Sequence, residues 1–262
     1  MSAIQNLKPP IGLMALSFQT PSSRFPALGS GELHLWKASL SVTPHQQERL
    51  FATLNNEERD RADRFVIHLV RDRFIVARAA LRDILGKYLG RPASEVHFAY
   101  GEHGKPELAD DGSGICFNLS HTRNVAIYGV IRHFRVGVDV ECLDRPTYTD
   151  RLKLAERFFS ASESRTLESL PEDRQDAAFL RCWTRKEAFV KAIGEGLTCP
   201  LSEYDVTLTE YDPPALTATR WDPSEAGRWS LLGLKPEPGY IAAIAVEGPP
   251  PHLSTWQWHP ET

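Results

Sequence analysis

In the run Arg135-Val136-Gly137-Val138-Asp139-Val140-Glu141, three valines alternate with a glycine and two acids. An extended backbone sends the valines to one face and Asp139 with Glu141 to the other. Acids at i and i+2 of a strand stand about 6.5–7 Å apart. Both can reach one hard cation such as magnesium, which takes few protein carboxylates and leaves its other positions to water and phosphate oxygens. Two solvated acids on an exposed strand face would give this segment the same pattern. A third acid, Glu187, lies in Trp183-Thr184-Arg185-Lys186-Glu187-Ala188-Phe189-Val190-Lys191. On a helix it neighbours Lys191 at i, i+4 and shares its side with Trp183 and Val190, at the margin of the buried face. A carboxylate there is costly unless paired or bound to metal; a surface Glu–Lys pair contributing about 0.3–0.5 kcal/mol has the same spacing. A third cluster joins Gly104-Lys105-Pro106 to Phe117-Asn118-Leu119-Ser120-His121-Thr122. Its Ser, His, Thr and Lys donors suit a phosphate. A Ser–His hydrolase fits poorly, because adjacent strand residues point to opposite faces and no Gly-x-Ser-x-Gly elbow surrounds Ser120. Asn118 and Thr122 equally suit a strand-end turn.

The elements that would position these groups fall into two similar series. Leu33 to Trp36 alternates as a half-buried strand, and Thr43-Pro44 opens a helical stretch. Val70, Phe74, Ala77, Leu81, Ile84, Leu85 and Tyr88 form one apolar helix face. Arg71, Arg78 and Arg82 fall together on another. Segments 95–100, 115–120 and 124–131 read as strands. From Arg135 the order begins again: a strand, a helical stretch at 162–170, a longer helix at 172–193, then strands near 204–209, 229–234 and 240–246. This predicts an α+β fold, pseudo-duplicated in two halves (31–134 and 135–247) about a quasi-twofold axis. Each half is a mainly antiparallel sheet packed against a long helix. Residues 1–30, with Pro9, Pro10, Pro21 and Pro26, read as an irregular arm, and 248–262 as a tail in which Trp256 and Trp258 could dock.

Composition narrows the chemistry. The formal charge of −4 over 262 residues masks a basic stretch from Arg59 to Arg91, which points to a local anionic ligand more than to a long polyanion. The four cysteines form no CxxC pair, which argues against a zinc site or a disulfide scaffold. With neither a signal segment nor an apolar run of about 18 residues, the expected compartment is the cytoplasm and no membrane contact is expected.

Taken in order, Gly104-Lys105-Pro106, Phe117-Asn118-Leu119-Ser120-His121, Gly137-Val138-Asp139-Val140-Glu141 and Trp183-x-x-Lys186-Glu187-Ala188-x-x-Lys191 resemble the 4′-phosphopantetheinyl transferase superfamily. The likeness is to its monomeric two-half branch, the type that activates surfactin synthetase. It implies a holo-acyl-carrier-protein synthase activity: the phosphopantetheine arm of coenzyme A passes to a serine of an apo acyl or peptidyl carrier protein, releasing 3′,5′-ADP. It also implies that Asp139, Glu141 and Glu187 hold magnesium, with manganese as a substitute, against the pyrophosphate. Glu187, directly or through a water on the cation, would take the serine proton, and Lys191 would neutralise phosphate. Arg61, Arg73, Lys105, Ser120, His121 and Lys186 would join Lys191 in binding coenzyme A. Two departures stand out: Glu57-Glu58 occupies the place where relatives often carry a basic residue one turn before Arg61, and Cys142-Leu143 follows Glu141 in place of Lys or Arg. Two competing readings are a magnesium-dependent nucleotide or coenzyme A hydrolase, and a basic-helix nucleic-acid binder. The pI near 6.2 and the lack of a nucleic-acid motif speak against the latter.

Overall fold

The computed structural model describes residues 13–22, 25–109, 112–144 and 151–260; Pro9 and Pro10 of the arm lie outside the described residues. After a two-residue strand β1 (Met14–Ala15), the first half runs β2 (Glu32–Ser39), α1 (Pro44–Ala52), α2 (Asn56–Asp63), α3 (His68–Leu89), the short pair β3 (Phe98–Tyr100) and β4 (Pro106–Leu108), then β5 (Ile115–Thr122) and β6 (Val125–Arg132). The second half repeats that order element by element. It runs β7 (Val136–Cys142), α4 (Arg151–Phe158), α5 (Ala161–Glu168), α6 (Glu172–Ile193), the short pair β8 (Tyr204–Val206) and β9 (Leu216–Thr219), then β10 (Trp229–Lys235) and β11 (Tyr240–Glu247). A last strand, β12 (His252–Trp258), follows. The expected duplication is therefore present, with β2-β6-β5 and β7-β11-β10 as equivalent antiparallel sheets.

Burial explains the layering. Trp36, Ala38, Phe117, Ala126 and Tyr128 pack with the α3 side chains Ile75, Leu81 and Ile84, while Ile241, Ala243 and Ala245 pack with Phe189 and Ala192 of α6. The other sheet faces meet each other through Leu33, Leu35 and Ile127 against Val136, Val138, Val140 and Ile244. The result is a helix–sheet–sheet–helix sandwich. It corrects the reading of Leu33 to Trp36 as half-buried: both faces of β2 are covered, one by α3 and one by the second sheet.

The two long helices are 22 residues each, and each ends at a left-handed glycine, Gly90 (φ 65°) and Gly194 (φ 83°), the termination glycine makes easy. A buried clamp is duplicated with them. Glu58, in the capping box of α2, takes Arg82 at 2.6 Å, and Glu163, in the capping box of α5, takes Lys186 at 2.8 Å. Arg82 and Lys186 each lie fourteen positions after the first residue of their long helix, His68 and Glu172.

The chain ends depart from expectation. β12 is not a loose tail but an edge strand of the first sheet, parallel to β2 over His252–Trp258. Of the arm, β1 adds in parallel to β10, and Gln19 pairs with Trp256 beyond it. Residues 14–19 thus run from the edge of one sheet to the edge of the other. At the opposite edges β5 and β7 lie side by side without a shared ladder, and it is there that the predicted acids gather.

Candidate active site at the seam of the two sheets

β7 carries Asp139 and Glu141 on the face away from its valines, as the alternation requires. Asp139 is not solvated: it is only 4% exposed, which removes the reading of an open acidic strand face. α6 lies almost directly upon β7. A Cβ at Gly137 would fall 2.0 Å from the Ala188 carbonyl oxygen and 2.4 Å from the Ala192 nitrogen, so only glycine permits this approach. The close packing carries Glu187 and Lys191, on the facing side of α6, to the acids of the strand.

The contacts are short and mostly shielded. Lys191 Nζ donates to Asp139 Oδ1 at 2.6 Å and to Ser120 Oγ at 3.1 Å, and Ser120 Oγ donates to the same Asp139 oxygen at 2.9 Å. Thr122 Oγ1 lies 3.4 Å from Glu141 Oε2. Asn118, Ser120 and Thr122 are thus one face of β5, at the period of two that puts them all against β7. The sequence offers Thr122 as a phosphate donor or a turn residue; that same period is the signal that places it beside Glu141. Glu187 is held above its usual carboxylate range by burial first and by the charge of Asp139 next, with Lys191 acting in the opposite sense and Glu141 in the same. At the mouth, exposed His121 is held below its ordinary value by desolvation, then by the charges of Lys191 and Arg73. Arg73 is anchored on Asn124 Oδ1 at 2.8 Å, and Arg61 stacks over the Phe74 ring at 5.3 Å. Six of the predicted residues (Ser120, His121, Asp139, Glu141, Glu187 and Lys191) therefore gather at one seam, with Arg73 close enough to act on His121, whereas Arg61 faces Phe74 and the pocket it shares with Glu57, Arg64 and Tyr100.

Lys105 and Lys186 lie elsewhere. Lys186, expected among the ligand-binding cations, is fully buried, and its ammonium is spent on Leu201 O (2.7 Å), Tyr204 O (2.6 Å) and Glu163 (2.8 Å). With three donors and three acceptors, it has none left for coenzyme A. Lys105 crosses from the first half to the second, donating to Ala192 O at 2.8 Å and Val136 O at 3.3 Å. Burial brings its pKa down to about 8. The basic stretch is also less available than its count suggested. Arg78 and Arg82 are buried against Glu58 at 2.9 and 2.6 Å, and Arg71 is paired with Asp63 at 3.0 Å. Glu58, in the Glu57-Glu58 pair that departs from the basic residue the resemblance implies there, serves as the counter-ion of these two arginines.

The Lys105 shift has a measurable consequence. The unfolded chain, with a lysine near 10.5, binds more protons than the folded one between about pH 8 and 10.5, so the stability contributed by this position rises with pH across that window and is flat below it. Urea unfolding of wild type and Lys105→Met at pH 7 and pH 9.5 is expected to show the difference moving in favour of wild type at the higher pH.

A hard cation fits the cleft. Among the described residues no three His, Cys, Asp or Glu side chains already converge at ligating distance, because Lys191 stands against Asp139. Yet Asp139 Oδ2 is buried without a hydrogen-bond partner, and the charges of Asp139 and Glu141 both bear on Glu187 with Lys191 alone acting in the opposite sense. An unsatisfied buried carboxylate oxygen in an excess of negative charge is what a divalent cation would relieve.

Comparison with known proteins agrees with this architecture. The family model described as 4′-phosphopantetheinyl transferase superfamily matches residues 135–245, and that described as 4′-phosphopantetheinyl transferase, N-terminal, matches residues 36–130. The chain belongs to the 4′-phosphopantetheinyl transferase superfamily, of the two-half type. It is 41% identical to the 4′-phosphopantetheinyl transferase HetI of Nostoc over 88% of this chain and 93% of that one. It is 34% identical to psf-1 of Bacillus pumilus over 78% and 83%, and 26% identical to Sfp of Bacillus subtilis over 79% and 88%. Both of those proteins are also named 4′-phosphopantetheinyl transferases.

Proposed function

We propose that the seam between β5 and β7 transfers the 4′-phosphopantetheine of coenzyme A to a serine of an apo carrier protein. The observation that carries this reading is the Asp139–Ser120–Lys191 cluster, brought against Glu187 by the contact of α6 on Gly137. In the reaction the serine hydroxyl oxygen forms a bond to the β-phosphorus while the bond from that phosphorus to the bridging oxygen breaks. 3′,5′-ADP leaves with the bridging electrons. Glu187, whose proton affinity is raised by burial and by Asp139, receives the serine proton at a carboxylate oxygen. Lys191, two-pronged on Asp139 and Ser120, is placed to follow the charge that develops on the phosphoryl oxygens. His121 and Arg73, and Arg61 by family resemblance, would supply donors for the nucleotide phosphates. Asp139, Glu141 and Glu187 would hold magnesium or manganese, which when bound neutralises the pyrophosphate. An acidic, helical carrier protein is the partner this superfamily implies, and the chain is proposed to act as a cytoplasmic monomer. Among the described residues no helix is long and apolar enough to cross a membrane.

The test is the intact mass of a purified apo carrier protein after incubation with this chain, coenzyme A and magnesium. A gain of one phosphopantetheine, lost on chelation, is expected. Consumption of coenzyme A with release of free phosphopantetheine and an unmodified carrier would favour a hydrolase instead.

A further inference from the structure

β7 has two edges, and they are satisfied differently. One is laddered to β11. The other faces β5, where the amides of Val138 and Val140 meet side chains: Val138 N donates to Asn118 Oδ1 at 2.9 Å, and Val140 N lies 3.4 Å from Ser120 Oγ. Both acceptors are buried, Asn118 at 5% exposure and Ser120 at 8%. Without them two shielded amides would be orphaned in the seam, an arrangement proteins avoid. Two side chains at i and i+2 of β5 thus stand in for a backbone ladder. They hold β7 at one side chain's remove, leaving the cleft open while fixing the amide nitrogens of the two residues on either side of Asp139. Ser120 also touches Asp139 and Lys191; Asn118 has only the strand contact among its described hydrogen bonds, and the proposed reaction gives it no part.

We infer that Asn118 is a positioning residue: its side-chain oxygen pins the Val138 amide and thereby sets the direction in which Asp139 presents its carboxylate to the cation, an inference that rests on the proposed role of Asp139. Supporting groups of this kind, one bond removed from a ligand, typically change metal affinity by about 10–100-fold when lost.

Three readouts test it on the full chain. In Asn118→Leu, close in volume but without an acceptor, amide exchange of the 136–142 strand should accelerate. Manganese affinity, followed by electron paramagnetic resonance without coenzyme A or carrier, should fall about 10–100-fold. The kcat should fall while KM for the carrier stays constant. Asn118→Asp, which retains an oxygen acceptor, should return manganese affinity to within a few-fold of wild type; should the leucine variant fail to fold, Asn118→Ala takes its place with the same readouts. A purely structural role predicts the opposite pattern: melting temperature drops in the substituted chains while the folded fraction binds manganese and turns over as wild type does. That pattern would overturn the inference, as would an Asp variant no better than the Leu one. Because the metal readout needs no transfer, a wild type that binds manganese but modifies no carrier removes the proposed function and leaves the positioning role standing. A wild type that binds no manganese removes both.

Discussion

Glu187→Gln is expected to abolish transfer, by about 10³-fold or more in kcat, without lowering the stability of the chain. Two roles are lost together. The amide cannot take the serine proton, a step for which general bases supply about 10²–10⁴-fold, and it weakens the carboxylate set that would hold the cation. The stability side follows from the direction of the shift. Glu187 is pushed above the usual carboxylate range by burial and then by Asp139, so its ionised form costs the fold above that raised value and the cost fades as pH falls through it. Glutamine removes the charge and keeps the shape. In the presence of a chelator at neutral pH the variant should therefore melt no earlier than wild type, and the margin in its favour should shrink in acid. Loss of activity with an equal or higher melting temperature is the mark of a residue held in a strained electrostatic setting for function. A variant that keeps a third or more of wild-type kcat would dismiss Glu187 as the base.

Much of this arrangement was legible in the residues because it follows local periods. The valines at 136, 138 and 140 and the acids at 139 and 141 separate by strand alternation alone, and the structure puts the valines in the sheet–sheet core. Glu187 and Lys191 are adjacent by helical geometry, and the place of Glu187 at the margin of the buried face follows from Trp183 and Val190. The repeat of strand, helices and strands was also readable as order, although little residue identity underlies it. What could not be read depends on partners distant in sequence. β12 follows a Pro-rich run that looks like a tail, and only its pairing with Glu32–Ala38, more than 200 residues earlier, makes it a strand. The basic stretch from Arg59 to Arg91 points to an anionic ligand, whereas Arg78 and Arg82 turn inward to Glu58.

Lys186 is the sharpest case, and it carries the second prediction. Helical position alone places it beside Glu187 and invites a shared role, but the turn of about 100° per residue sends it to the core side of α6, where Glu163 of α5 awaits it. Glu163 is itself committed, accepting from Ser160 N at 2.8 Å and Val206 N at 2.7 Å. The pair therefore joins α5, α6 and β8 at one buried point, as Glu58 and Arg82 join α2 and α3 to the carbonyls of Ala93 and Val96 in the other half. Two halves that place a cation at the same helical position, against the same capping-box glutamate, and bind neighbouring carbonyls with it, use that cation for folding. Lys186→Met would strand a buried carboxylate and two buried carbonyls; breaking such a pair from one side costs about 3–5 kcal/mol, a large part of the total stability of a typical domain. Chemical denaturation should show that loss, and Glu163→Gln in the same chain should recover part of it, because the second change removes the uncompensated charge. The fraction that remains folded should bind coenzyme A with an unchanged KM. Unaltered stability together with a raised KM would return Lys186 to the ligand site, and with it the view that the motif is read by its order in the chain and not by the face each residue takes.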